Sequence, residues 1–152
     1  MQTYTNFELL LINDGSTDSS LNIIRQYAKK DLRITFISHR RKGMAKTLND
    51  GLHKAKYELI IRMDADDVML PMRVKRQLDY MSDHKEITVA SCLAYYINSK
   101  GKKIGKTYSD LKNYKVGQRY YKENKPIGLL HPGVIFRKKD IIDAGGYRSK
   151  FW

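Results

Sequence analysis

Cysteine is almost absent from this 152-residue sequence: Cys92 is the only one. That excludes an internal disulfide and a zinc site built from cysteines, and it suits a reducing compartment. Its flanks, Val89-Ala90-Ser91 and Leu93-Ala94, predict a buried structural thiol. No apolar run approaches the ~20 residues that span a bilayer. No charged segment followed by an apolar one opens the chain, so no signal peptide is read. Phosphate-binding glycine signatures are missing as well. Gly15 lacks the G-x-G-x-x-G and G-x-x-x-x-G-K contexts, which argues against a dinucleotide enzyme and a P-loop enzyme. Without H-E-x-x-H or G-x-S-x-G, hydrolase chemistry has little support. Acidic residues are few beside basic ones, 16 against 29, and the net charge is +13. Such a surface attracts nucleic acid, anionic lipid or a phosphorylated substrate. The basic residues are spread over His39-Arg40-Arg41-Lys42, Lys100 to Lys106 and Arg137-Lys138-Lys139, with no stripe on one helix. This reads first as a solvated surface, then as attraction to a membrane surface, and last as nucleic-acid binding.

Hydrophobic residues make up 41% of the chain, too many for disorder, and the length fits one domain. The organising stretch is Leu59-Ile60-Ile61-Arg62-Met63-Asp64-Ala65-Asp66-Asp67. A short apolar run ends in three carboxylates within four positions. As a buried strand from Leu59 to Met63, it places those acids at the strand's carboxyl end, the edge where open α/β sheets bind ligands. Acids so close repel one another, and hard oxygen donors suit Mg²⁺ or Mn²⁺. An acidic turn that caps the next helix is the alternative.

Taken in order, Phe7 to Ile12 predicts a strand, and Asn13 to Ser20 a turn that caps a helix to about Lys30. Leu21, Ile24 and Ala28, with Ile23 and Tyr27 beside them, form its apolar face. Ile34 to Ile37 is a second strand. Gly43 opens a helix with Met44, Leu48, Leu52 and Ala55 at helical spacing, and the strand at Leu59 follows. Pro71 then sits in a first helical turn, with Val74, Leu78 and Met81 as the buried stripe. This β-α-β-α-β-α order implies a parallel sheet. After His84 the texture changes. Ile87 to Ile97 predicts a strand, Asn98 to Gly101 a turn, and Ile104 the start of a return strand. Ser109 to Asn124 is Tyr-rich and weakly helical. His131 to Arg137 predicts a strand, and Lys139 to Ala144 a short helix closed by Gly145-Gly146.

Asp14 and Asp64 follow strands that a parallel sheet sets side by side, so they are expected to share one crevice. The competing readings are an Asx-turn role for Asp14 and a solvated helix position for Lys46. His131 is read foremost as shaping the loop before Pro132, and second as a neighbour of phosphates or acceptor. A sheet with an acidic turn but no P-loop points to transfer chemistry on a nucleotide-activated substrate.

Several stretches carry a resemblance. The chain from Gln2 to Asp18, with Asn13-Asp14-Gly15-Ser16, resembles the early part of a family 2 glycosyltransferase. Gly43 to Leu52 resembles the helix that follows there. Arg62-Met63-Asp64-Ala65-Asp66-Asp67, with Leu70-Pro71 and Arg73, resembles the D-x-D metal motif of that family. His131-Pro132 and Gly145-Gly146-Tyr147-Arg148 match late landmarks. Arg41 departs from the usual Asn, and Tyr57 from a frequent Gly. The resemblance implies a GT-A fold: α/β, with a mostly parallel central sheet and helices on both faces, here incomplete. It implies one catalytic domain over 1–152, with a nucleotide-binding part to about 84 and an acceptor-side part after it.

The resemblance also implies roles. Asp14 contacts the donor nucleobase, Asp64 faces the ribose or the metal, and Asp66 is the main ligand of Mn²⁺ or Mg²⁺. Asp67 assists or caps, and Lys46 approaches the base or the phosphates. The reaction is sugar transfer with inversion from a nucleoside-diphosphate sugar, UDP-sugar foremost, to a saccharide or lipid-linked acceptor in surface polysaccharide synthesis. The location is the cytoplasmic side, with peripheral contact at the inner membrane face and no nucleic-acid partner. Both ends read as cut, at Met1 and at Lys150-Phe151-Trp152. The catalytic base is expected beyond Trp152, which implies little turnover by this chain. A nucleotidyltransferase and a basic nucleic-acid-binding module are the alternatives.

Overall fold

A computed structural model describes residues 1–107 and 129–149. The Tyr-rich stretch read as weakly helical and the terminal Lys150-Phe151-Trp152 lie outside the described residues. The chain divides into two compact units: Tyr4–Ile60 with the segment from Arg137, and Met1–Thr3 with Ile61–Phe136.

The first unit starts with β1 (Leu9–Asp14), α1 (Ser20–Lys30), β2 (Ile34–His39) and α2 (Met44–Lys54), and β3 (Leu59–Ile61) follows. β1 and β2 run parallel in step, from Leu9 opposite Ile34 to Asp14 opposite His39. The polar residues that end the two strands are therefore neighbours across the ladder. The α1 stripe of Leu21, Ile24 and Ala28 is half-buried, but Ile23 and Tyr27 are exposed, contrary to expectation. Lys30 covers the Tyr27 ring instead, 5.9 Å from its centroid. On α2, Ala45 and Leu52 are buried and Met44 is exposed, so the inward stripe is rotated from the predicted one. Gly51 permits this packing: a Cβ there would lie 2.4 Å from Ile12 Cδ1. α4 (Lys138–Asp143) returns to the same unit, where the Lys138 amide donates to Glu58 O and its ammonium to Ala55 O. Its end is closed by Gly145 donating to Ile142 O and Gly146 to Ile141 O, as expected from the glycine pair. Beyond that turn, the Asn49 amide clamps the backbone of Tyr147 in both directions, at 2.8 and 2.9 Å.

The second unit contains α3 (Arg73–Asp83), β4 (Val89–Ser91), β5 (Tyr95–Ile97), β6 (Lys103–Lys106), a 3-10 turn at His131–Gly133 and β7 (Val134–Arg137). Its core is Val74, Met81, Ile87, Val134, Ile135 and Phe136. β4 and β7 pair antiparallel, with Ala90 opposite Ile135. Pro71 precedes α3 instead of lying in its first turn, and Met72 supplies no side-chain cap. Gln2 caps the helix from a distance, accepting from the Val74 amide and donating to Leu70 O. The stretch Ile87 to Ile97 is two strands, not one. It breaks where the Cys92 amide turns to Gly133 O. Cys92 is half-buried rather than buried. The predicted hairpin is present as β5 and β6.

Candidate functional site

The end of β1 brings Asn13 and Asp14 to different tasks. Asn13 is buried, and its amide donates to Ser38 Oγ and accepts from the Ser16 amide. The Asx-turn role considered for Asp14 therefore falls to Asn13. Asp14 faces the start of α2, where Oδ1 accepts from the Lys42 amide at 2.7 Å and Oδ2 from the Gly43 amide at 3.0 Å. A carboxylate on the free amides of a helix start is a favourable arrangement. Gly43 is the N-cap, at φ 87°, a conformation that a side chain would strain. The Lys42 amide is the main cause that lowers the Asp14 pKa below its ordinary 3.8, with the Gly43 amide and the His39 ring adding to it against the effect of burial.

The sign of the pH dependence follows. The folded state has the lower pKa, so this contribution to stability is complete above 3.8 and is lost as pH falls through the lowered value. The Lys42 and Gly43 amide resonances should shift together with a midpoint below 3.8 in an NMR titration. A midpoint at or above that value would reject the paired bond.

His39, at the matching end of β2, is almost enclosed. Its Nδ1 lies 2.9 Å from Arg40 O and 3.4 Å from Asp14 Oδ1, and its Nε2 lies 3.2 Å from Asp50 Oδ2. Nε2 is sealed from solvent and misaligned for a hydrogen bond, so its contact with Asp50 is electrostatic. Lys42 Nζ completes the cluster on Asp50 at 2.7 Å. Lys46 is exposed in the first turn of α2, beside a cavity of about 390 Å³ that Lys42, Met44 and Ser149 also line.

In the second unit the strand ends at Ile61, not Met63. The Arg62 amide donates to Val134 O, and the chain leaves toward the acidic turn, which the Asp67 amide closes on Asp64 O. Arg62 lies mostly inside the protein, its side chain only 10% exposed. One Nη donates to Asp64 Oδ1 at 2.6 Å, while Nε and the other Nη are buried without partners. From α3, Arg73 donates to Arg62 O and Pro132 O, both at 2.9 Å, and Gln77 donates to Gly133 O at 2.8 Å. These bonds fasten the acidic turn and the His131–Gly133 turn to one helix.

His131 is half-buried beside this cluster. Burial chiefly lowers its pKa below 6.5, and the Arg62 charge adds to that against Asp64. The structure therefore joins His131 with Asp64, and places Asp14 and Lys46 in the other unit. Asp66 and Asp67 are exposed, and among the described residues neither side chain takes a hydrogen bond or ion pair. Nor does any group of three His, Cys, Asp or Glu converge as a metal cage among them. The donor chemistry nonetheless fits a hard divalent cation: Asp66 has both oxygens unspent, and Asp64 has Oδ2.

Arg62, His39 and Asp50 were not singled out from the sequence. The signal for Arg62 was there: a charge inside an apolar strand run requires a buried partner.

Comparison with known proteins bears on the family and the fold. Residues 1–144 match the model of the family described as glycosyl transferase family 2. The amylovoran biosynthesis glycosyltransferase AmsE of Erwinia amylovora is 30% identical over 99% of this chain and 56% of its own. The UDP-Gal:alpha-D-GlcNAc-diphosphoundecaprenol beta-1,3-galactosyltransferase of Escherichia coli is 30% identical over 95% of this chain and 52% of its own. The chain thus spans about half the length of the curated relatives it matches. Among solved structures, the mannosyltransferase PcManGT of Pyrobaculum calidifontis, in complex with GDP-Man and Mn²⁺, is similar in fold. Its TM-score is 0.67 at 18% identity, covering 97% of this chain and 40% of that one.

Proposed function

The chain belongs to glycosyl transferase family 2 and has a GT-A α/β fold, and from that premise we propose that it serves metal-dependent transfer of a sugar from a nucleoside diphosphate to an acceptor hydroxyl, with inversion. The acidic turn carries this reading: Asp64 is held by Arg62 on one oxygen, and Asp66 is unspent beside it. Asp66 would be the main ligand for Mn²⁺ or Mg²⁺, and Asp64, held by Arg62 on one oxygen, would serve the metal or the ribose with the other. When bound, the ion supplies positive charge to the departing diphosphate. Asp14 takes the nucleobase, and Lys46, exposed at the start of α2, reaches the base or the phosphates. Asp67 assists the turn, and His131 shapes the loop before Pro132, burial lowering its pKa below the ordinary 6.5. No described residue is assigned as the base that takes the acceptor proton.

UDP-sugar is the foremost donor, because the Escherichia coli relative is named for UDP-Gal. That name also specifies a diphosphoundecaprenol acceptor, which supports a lipid-linked saccharide here. The AmsE relative supports a place in polysaccharide synthesis. Among the described residues no helix is long and apolar enough to cross a membrane. We place the reaction at the cytoplasmic face, with peripheral contact. Membership of the family sets aside the nucleotidyltransferase and nucleic-acid readings.

The test is thermal unfolding against UDP, GDP, ADP, CDP and dTDP, with and without Mn²⁺. One nucleotide should raise the midpoint only with metal. Saturation at about a hundred times Kd gives ~2.7 kcal/mol of stabilisation, or roughly 5–10 °C at this chain length. No shift with any nucleotide would reject donor binding by this chain.

A further inference from the structure

The hairpin of β5 and β6 is well built and, among the described residues, nearly unsupported. At its base, Thr107 and Ala94 share three hydrogen bonds: the Thr107 amide to Ala94 O and the Ala94 amide to Thr107 Oγ1, both 2.8 Å, and the Thr107 hydroxyl to Ala94 O at 3.3 Å. At its tip, Asn98 Oδ1 accepts from the amides of Lys100 and Lys102 at 3.0 Å each. Yet every residue of both strands is exposed. Leu93, Tyr96 and Ile104 are 61%, 58% and 66% exposed. A lone two-stranded ribbon is marginal in water, and large apolar side chains this exposed on it are open to a partner.

The charge on the hairpin identifies what it meets. Lys100, Lys102, Lys103 and Lys106 lie on or beside the strands, and no acidic residue occurs between Glu86 and Asp110. Lys103 Nζ sits 4.2 Å from the centroid of the Tyr95 ring, a cation held against an aromatic surface. Lysine stems with aromatic and branched side chains suit the boundary between lipid headgroups and acyl chains. A polynucleotide would use the lysines and tyrosines but has no use for Ile97, Ile104 and Leu93. We propose that the β5–β6 hairpin docks this protein on an anionic phospholipid bilayer, the lysines on lipid phosphates and the tyrosines and isoleucines in the headgroup boundary. This deepens the membrane-side part of the reading above. Its test contains no nucleotide or metal, so failure here and failure of donor binding are separate results.

The experiment is co-sedimentation of the full chain with phosphatidylglycerol-rich vesicles and with pure phosphatidylcholine vesicles. The chain should pellet with the first and not with the second. Lys100→Glu, Lys102→Glu, Lys103→Glu and Lys106→Glu together should abolish binding, because each lysine near an anionic surface contributes about fivefold to partition. Lys29→Glu, Lys30→Glu, Lys54→Glu and Lys85→Glu together make the same charge change elsewhere and should leave most binding intact. Ile97→Ser with Ile104→Ser should remove the binding that survives high salt, where ionic attraction is screened. Circular dichroism checks that each variant is folded. Equal loss in the two lysine sets would show bulk charge only. No effect of the isoleucine pair would show a polyanion site, and failure of the wild type to pellet would show no membrane site. Each of those three results overturns the proposal.

Discussion

Arg73→Ala should lower the thermal midpoint by roughly 10 °C. Arg73 sits where α3 begins and holds Arg62 O and Pro132 O with one nitrogen, while its Nε donates to Gln77. Alanine leaves both carbonyls without their donor, at about 1–3 kcal/mol for each such loss. With about 2–4 °C per kcal/mol at this length, the sum is near 10 °C. Arg73→Lys should recover less than half, because an ammonium lacks the planar fork that serves several acceptors at once. A midpoint within 2–3 °C of wild type would mean that the turns are held by something other than Arg73. The same variant tests the site. The carbonyl it frees belongs to Arg62, whose guanidinium holds Asp64, so the Mn²⁺-dependent response to nucleotide should weaken along with stability.

Asp66→Ala should instead leave the midpoint of the free protein within about 1–2 °C and erase the whole Mn²⁺-dependent shift with nucleotide. Asp66 is exposed and, among the described residues, bonds to nothing, so the fold loses little with it. If it is the main ligand, the ion's hold on the diphosphate goes with it, and at saturating nucleotide about 2–3 kcal/mol of linked stabilisation disappears. Asp64→Asn should be milder for the ion but cost stability, because it removes a charge from the nearly buried Arg62. Calorimetric titration with Mn²⁺ and UDP reads the two apart. Full retention of the shift in Asp66→Ala would move the metal role to another residue.

How much of this was legible in the sequence depends on the range of the interaction. The ends of α1 and α2 and the Gly145-Gly146 stop were legible because periodicity and capping are local. The outward turn of Ile23, Tyr27 and Met44 was not. Spacing shows that a helix has an apolar side, but not how far that side is rotated when Gly51 lets α2 settle on Ile12. The strand from Ile87 to Ile97 looked continuous because its composition is. It breaks where Cys92 must serve Gly133, a partner far along the chain. The acidic turn stood out from its residues alone, whereas its supports did not. Gln2 to Val74, Arg62 to Val134 and Arg73 to Pro132 are pairings that no local pattern records.

The clamp between Asn49 and Tyr147 has a consequence for biosynthesis. Its two residues are 98 positions apart, and all of the other unit except Met1–Thr3 is encoded between them. On a ribosome that adds roughly 5–20 residues per second, the β1–α2 segment waits several seconds for the strand end and helix that complete it. During that wait it lacks the bonds that Lys138 and Tyr147 make to it. This nascent intermediate is the point at which a chaperone would engage the chain, and synonymous codon changes that slow translation after Ile60 should lower soluble yield without altering the finished protein.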